Sequence, residues 1–196
     1  MRKIGFIGCG HMAQALIKGL KSNKSYELLG HDRNSKNIAW LKQEKIASYA
    51  LKEVCHQADI LMICVKPKDM YDLCSEMKTY IGKELKIVSV AAGITLENLK
   101  DALSGGKVYR AMPNIGAKHN LGITSIFSHE ELNEILDIFN YLGKAIVVED
   151  EDKINLHTSL IGSAPAFYFE IINEFEHKLN ELLPDNVSKR DITLLF

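Results

Sequence analysis

Charge of one sign, long apolar runs and paired cysteines are all lacking in this sequence of 196 residues. The 24 lysines and arginines nearly balance the 25 aspartates and glutamates, so the formal net charge is only −1. A protein that binds nucleic acid or an anionic membrane surface usually carries an excess of basic residues, and neither partner is expected here. No stretch approaches the roughly 18 consecutive apolar residues that a membrane-spanning helix requires. Contact with a membrane through a spanning helix is therefore not expected either.

The cysteines and histidines also lack the spacings that hold metals or form disulfide frameworks. No Cys-x-x-Cys pair occurs among the four cysteines, and the seven histidines include no His-x-x-x-His or His-Glu-x-x-His arrangement. Reduced thiols in a cytoplasmic protein account for such scattered cysteines better than disulfides or a metal site. We therefore expect no bound metal.

What the sequence does contain is a series of short apolar runs separated by helical patterns. Hydrophobic residues make up 46% of the chain and charged residues 25%, close to the averages of globular proteins. This alternation predicts an α/β fold, a doubly wound and mainly parallel sheet with helices on both faces. The stretch from 105 to 149 is less regular and could be mixed. The runs span residues 3–8, 27–30, 59–65, 86–91, 107–111, 123–127 and 145–148.

The character of the chain changes at "EDEDK", residues 149–153. Strand signals stop there, and an amphipathic helix is predicted from Pro165 onward. We place a domain boundary near Glu149, with a sheet domain over 1–149 and the start of an all-helical domain over 150–196. The apolar stripe of this helix needs a partner, which predicts self-association as a homodimer or larger homo-oligomer. The stripe comprises Tyr168, Ile171, Ile172, Phe175, Leu179 and Leu182.

A glycine loop joins the first strand to the first helix. Gly8-x-Gly10-x-x-Ala13 fits the dinucleotide-binding fingerprint, with alanine in the third position. The first glycine permits a sharp turn, the second lets a diphosphate approach the backbone, and the small third residue lets helix and strand pack closely. The amino end of the helix then offers unpaired N–H groups to an anion. A purely structural turn could share these glycines, but its position between a strand and a helix favours dinucleotide binding.

The next strand ends in "GHDRNS", which bears on the choice of cofactor. Asp32 follows Gly8 by 24 residues, near the spacing of the acid that binds a ribose hydroxyl in NAD-binding folds. The adjacent Arg33 could instead pair with the 2′-phosphate of NADP. These two signals conflict, so both NADH and NADPH stay open.

Three further fragments follow predicted strands, where ligands bind along the carboxyl edge of a parallel sheet. "VKP" ends one strand at 65–67, "AAGI" follows another at 91–94, and "MPN" follows a third at 112–114. With "IGFIGCGHMAQAL" and "IGSAPAFYF" at 161–169, these fragments make the chain resemble the pyrroline-5-carboxylate reductases. The resemblance spans nearly the whole chain.

The resemblance implies a Rossmann-type domain followed by a helical dimerisation domain. It also implies transfer of hydride from NADPH or NADH to the C=N bond of a cyclic imino acid, the last step of proline synthesis, and it assigns no catalytic acid or base. By the same resemblance, Glu151 and Ser163 are candidate substrate contacts. The candidate cofactor contacts are Gly8, Gly10, His11, Met12, Ala13, Asp32, Arg33, Val65, Lys66, Pro67, Ala92, Gly93 and Asn114.

The chain also departs from that family. Ile115-Gly116 stands where members often have Thr-Pro, Ala164 replaces a glycine, and Leu51 replaces a common asparagine. Members continue into a Ser-Pro-Gly-Gly-Thr-like substrate loop that this sequence does not reach before Phe196. An alternative is therefore an inactive or regulatory NAD(P)-binding paralogue or fragment. A β-hydroxyacid dehydrogenase is a second enzyme class, although the segment from 156 to 167 lacks the lysine that class requires.

Overall fold

A computed structural model describes residues 1–182 of the chain, and within that range eight strands form a single sheet. Their order across the sheet is β3-β2-β1-β4-β5-β6-β7-β8. All neighbouring pairs are parallel except β6 and β7, which are antiparallel. The strands are β1 (Arg2–Ile7), β2 (Tyr26–His31), β3 (Ala47–Ser48), β4 (Ile60–Ile63), β5 (Lys86–Ser89), β6 (Lys107–Pro113), β7 (Gly122–Phe127) and β8 (Gly143–Val147).

Helices cover both faces of the sheet, which confirms the predicted doubly wound α/β architecture. One buried cluster joins the sheet to α1, α2 and α6, and the other joins it to α3, α4, α5 and α7. The helices of residues 1–182 are α1 (His11–Leu20), α2 (Ser35–Gln43), α3 (Leu51–Gln57), α4 (Met70–Met77), α5 (Leu96–Leu103), α6 (Asn133–Tyr141), α7 (Asp152–His157) and α8 (Ala164–Leu182).

The apolar runs form central strands because alternate side chains are buried on opposite faces. In β1, Phe6 packs into the cluster beneath α1, whereas Ile7 packs into the cluster beneath α4. In β4, Met62 and Ile63 divide between the two faces in the same way. A strand covered on both sides needs a continuous apolar run rather than an alternating one.

Each of the seven predicted strands is present to within a few residues. The expected irregularity after residue 105 is the antiparallel pairing of β6 and β7. A crossover connection, usually a helix, is required between adjacent parallel strands. Only the 3₁₀ turn Ile115–His119 and a few loop residues connect β6 to β7, so β7 runs antiparallel to β6. The two-residue edge strand β3 was not predicted, because it contains no apolar run.

A π-helical turn, Thr158–Ser163, connects α7 to α8. The predicted long helix is confirmed in α8, although the side chains of Leu179 and Leu182 and the whole of 183–196 lie outside the described part. Phe167, Tyr168 and Ile171 of this helix are each more than 60% exposed. Ile154 of α7 is buried in the same cluster as Val148, next to the proposed boundary. The division into domains at 149 stays a prediction.

Candidate cofactor-binding site

The glycine loop lies where the strand order reverses, since β1 is flanked by β2 on one side and β4 on the other. This switch point leaves a crevice at the carboxyl ends of the strands, where open α/β sheets bind their ligands. Gly8 has a φ of +83°, and a Cβ there would lie 2.8 Å from Val65 Cγ1. Only glycine therefore fits this turn.

A different requirement favours glycine at position 10. Its φ of −75° suits any residue, and none of the described atoms lies within 4 Å of the position that a Cβ would take. A side chain here would fill the open space over the loop, where a diphosphate would lie. The absence of a side chain therefore provides a cradle that fits a dinucleotide.

The amino end of α1 begins directly after Gly10. Among the described residues, no side chain caps this end of the helix, so the first-turn N–H groups are available to an anion. These groups belong to His11, Met12 and Ala13. Ala13 itself is 1% exposed, and it packs between α1 and the sheet as the fingerprint requires.

The carboxylate of Asp32 accepts three hydrogen bonds from neighbouring residues. The backbone N–H of Cys9 donates to Oδ2 at 2.6 Å, and Asn37 Nδ2 donates to the same oxygen at 2.8 Å. The backbone N–H of Asn34 donates to Oδ1 at 2.7 Å. Asp32 therefore joins the end of β2 to the glycine loop, and most of its acceptor capacity is used within the protein.

Arg33 projects beside this loop and pairs across the crevice with α4. Its Nη2 lies 2.6 Å from Oε2 of Glu76, and the two side chains are 71% and 46% exposed. Exposed ion pairs contribute little free energy, so Arg33 can exchange this carboxylate for another anion at small cost.

A cleft of about 410 Å³ lies above these residues. Six of the predicted cofactor residues line it: Gly8, Gly10, Asp32, Arg33, Val65 and Lys66. Sequence reasoning missed other lining residues, notably Asn37 and Lys68. Lys68 directly follows the "VKP" fragment, and Asn37 lies on the first turn of α2, shortly after "GHDRNS". Their closeness to these two motifs could have identified them from the sequence.

The remaining predicted contacts do not line this cleft. Pro67 is exposed at the start of the 3₁₀ turn Pro67–Asp69, after β4. Ala92 and Gly93 are exposed in the turn after β5, where Gly93 has a φ of +74°. Asn114 follows β6, and its side chain accepts a hydrogen bond from the backbone N–H of Ile123 at 3.2 Å.

The thiol of Cys9 lies buried beneath the glycine loop. Its Sγ lies 3.5 Å from the backbone oxygen of His31. Burial, and secondarily the charge of Asp32, raise the pKa of Cys9 to about 12. The thiol is therefore neutral at physiological pH and acts in packing rather than as a nucleophile.

The two candidate substrate residues lie farther along the chain. Oε1 of Glu151 accepts hydrogen bonds from Arg110 Nη1 at 2.7 Å and from the backbone N–H of Leu96 at 2.6 Å. Ser163 is exposed at the end of the π-helical turn. Arg110 was not singled out from the sequence, although a basic residue within the apolar run "VYRAM" was a usable signal.

A second cleft, of about 600 Å³, lies at the opposite edge of the sheet. Its walls include Arg2, Asp59 and Lys86, at the amino ends of β1, β4 and β5, together with Glu134 of α6. These charges pair with one another, with Arg2 contacting both carboxylates and Lys86 contacting Glu134. The glycine loop does not reach this cleft, so it is not the candidate cofactor site.

No helix within residues 1–182 is long and apolar enough to cross a membrane. No group of three or more His, Cys, Asp or Glu side chains in the same range is arranged to hold a metal ion. All four cysteines are free thiols.

Comparison with known proteins identifies several relatives. Residues 3–93 match the family model "NADP oxidoreductase coenzyme F420-dependent". A pyrroline-5-carboxylate reductase of Escherichia coli (strain K12) is 35% identical over 182 residues, which cover 87% of this chain and 67% of the relative.

Two solved structures match nearly the whole fold. The pyrroline-5-carboxylate reductase of Coxiella burnetii superimposes with a TM-score of 0.82 at 26% identity, covering 98% of this chain and 74% of the other. The Plasmodium falciparum pyrroline carboxylate reductase, solved with NADP bound, gives a TM-score of 0.86 at 21% identity, covering 99% and 74% respectively. At that identity the second match is evidence for the fold alone.

Proposed function

Because this chain belongs to the pyrroline-5-carboxylate reductase family, we propose that it binds a reduced nicotinamide dinucleotide and reduces the C=N bond of 1-pyrroline-5-carboxylate to give proline. The resemblance noted in the sequence is thereby confirmed at the level of the family. The observation that carries the proposal is the pairing of Gly8, where any side chain would be strained, with Gly10, where none of the described atoms obstructs a Cβ.

The chain's own residues bind and orient rather than react. The loop from Gly8 to Gly10 and the N–H groups of His11, Met12 and Ala13 hold the diphosphate. Val65, Lys66, Pro67, Ala92 and Gly93 border the ribose and the nicotinamide end, with Asn114, Ser163 and Glu151 on the substrate side. Reduction adds a hydride to the imine carbon and a proton to the nitrogen, and a bound reduced nicotinamide supplies the hydride. The protein contributes proximity and a water-poor surface.

The charges around the cleft favour NADPH over NADH as the cofactor. Arg33 and Lys68 line it together with Asp69, and the two cations outnumber that carboxylate as partners for a 2′-phosphate. Asp32 would oppose that phosphate, but its carboxylate already accepts three hydrogen bonds from Cys9, Asn34 and Asn37. The acid that seemed to favour NADH is thus engaged in holding the loop.

Self-association through α8 is part of the same proposal. Phe167, Tyr168, Phe169 and Ile171 are 64% to 69% exposed, and an apolar surface of this size is costly to leave in water. A second copy of the chain would cover it. Light scattering after size exclusion, run at several concentrations, tests this: a strictly monomeric species overturns it. The free thiols support the cytoplasm as the compartment.

A binding module without turnover is the second candidate, because Leu51 stands where the family commonly has an asparagine. Fluorescence titration with NADPH and NADH should give saturable binding, preferably of NADPH. Turnover with pyrroline-5-carboxylate is then assayed on the same preparation. Binding with turnover supports the reductase, binding without turnover supports the module, and the absence of binding to either coenzyme overturns both.

A further inference from the structure

The short helix α7 is held to the sheet by a polar side chain at each end. At its amino end, Glu151 accepts hydrogen bonds from Arg110 of β6 and from the amino end of α5. At its carboxyl end, Nδ1 of His157 lies 2.6 Å from Oγ of Ser125, on β7. Because β6 and β7 are neighbours in the sheet, the two contacts join α7 to adjacent strands.

The contact at the amino end of α7 carries a large desolvation cost. Arg110 is 2% exposed, and its Nη2 has no hydrogen-bond partner among the described residues. A buried guanidinium with one carboxylate partner is poorly compensated for its lost hydration, and apolar side chains of similar volume are often as stable or more so. Stability alone therefore does not explain this pair.

The carboxyl-end contact has a similar character. Ser125 is fully buried in β7, and His157 is half-buried on α7. The π-helical turn Thr158–Ser163 begins directly after His157, and its first residue bonds back to α7 through Thr158 Oγ1 and the backbone oxygen of Ile154. The orientation of α7 therefore determines where this turn lies.

We infer that Arg110 and Glu151, with Ser125 and His157, are positioning residues that clamp α7 and thereby hold the π-helical turn and Ser163 in register with the carboxyl end of β6. This inference rests on the proposed function, since Ser163 on the turn is a candidate substrate contact and Asn114, just after β6, is a candidate cofactor contact that the proposal places on the substrate side. π-Helical turns are frequent at functional sites, and an error of about 1 Å in placement can lower a rate about 100-fold.

The decisive variant is the double replacement Arg110→Met with Glu151→Leu, which exchanges the pair for apolar side chains. We expect a folded protein with a thermal midpoint near the wild-type value, an unchanged Kd for NADPH and a kcat lowered about 10-fold or more. We also expect amide hydrogen exchange to quicken at least several-fold over 152–163 and to stay unchanged in β1 and β4. A variant that keeps both its kcat and its exchange rates overturns the inference, as does a change in only one of the two.

Ser125→Ala provides a second test, because alanine fits the same buried position without the hydroxyl. Faster exchange confined to 157–163 is expected, and unchanged exchange there contradicts the clamp even if the double variant does not fold. Glu130→Gln is the matched control, since it breaks the partly buried Lys100–Glu130 pair, which does not involve α7. If the wild-type chain binds NADPH without turnover, the proposed reductase activity fails, and hydrogen exchange alone then decides whether the clamp exists.

Discussion

The backbone N–H of Cys9, in the middle of the glycine loop, donates a hydrogen bond of 2.6 Å to the carboxylate of Asp32, at the end of the neighbouring strand. A residue expected to bind ribose thus stabilises the loop proposed to bind the diphosphate. A change at Asp32 should therefore disturb that loop, whereas a change at Arg33 should act on cofactor preference alone.

Replacing Asp32 with asparagine should weaken both coenzymes rather than exchange one for the other. Hydrogen bonds to a charged group are worth about 1.5–3 kcal/mol, and Asp32 accepts one from Cys9 of the glycine loop and two from Asn34 and Asn37 beside it. We expect the Kd values for NADH and NADPH to rise about 10-fold or more together, measured by nicotinamide fluorescence. A selective loss of NADH binding with a gain for NADPH would instead show that Asp32 acts mainly as a ribose ligand.

Arg33 and Glu76 should have opposite effects on NADPH. Arg33→Gln removes the cation and should raise the Kd for NADPH about 10-fold, with little effect on NADH. Glu76→Gln frees Arg33 from its partner and should lower the same Kd by up to about 5-fold, the range of an exposed ion pair. Isothermal titration with both coenzymes measures the effects, and equal effects on NADH and NADPH contradict this role.

The two loop glycines should respond differently to alanine. Gly8→Ala introduces a positive-φ strain of about 1–2 kcal/mol and a contact with Val65, so the thermal midpoint should fall. Gly10→Ala meets no described atom, so it should leave the midpoint unchanged while weakening the coenzyme. Gly82→Ala is the control, because its Cβ would also be unobstructed by described atoms and Gly82 lines the second cleft rather than the candidate cofactor cleft. If Gly10→Ala and Gly82→Ala bind NADPH equally well, the cradle is wrongly placed.

Acid should weaken the opposite edge of the sheet through Glu134. A hydrogen bond from Lys86 is the main cause that lowers the pKa of Glu134 below its ordinary 4.5, with Arg2 adding to it. A carboxyl with a lowered folded-state pKa stabilises the protein fully above the unfolded value and loses that contribution as pH falls through the folded value. Glu134→Gln should therefore lower the unfolding free energy at pH 7 and lower it by less at pH 3, below the ordinary value of 4.5. Urea denaturation at both pH values measures this, and an equal loss at the two contradicts it.

Local sequence was sufficient for the strand positions and the glycine loop. Runs such as "DILMICV" predict central strands, because a strand buried on both faces needs a continuous apolar run. The spacing of Gly8 and Gly10 between a strand and a helix predicts the loop. The partners of charged residues were not predictable in the same way. Arg110 and Glu151 are 41 residues apart, and no local pattern specifies that they meet.

The sequence by itself determined an α/β sheet domain with a dinucleotide loop, since apolar periodicity and glycine spacing depend on neighbours along the chain. Tertiary structure decided the reversed direction of β7, the engagement of Asp32 by the glycine loop, and the clamping of α7 by two strands. The direction of β7 follows from the short connection after β6, which holds no crossover helix. The other two depend on which distant groups can satisfy a buried or partly buried charge or hydrogen bond. That choice is made by packing in three dimensions, where the cost of an unpaired polar group decides between arrangements that the local sequence allows equally.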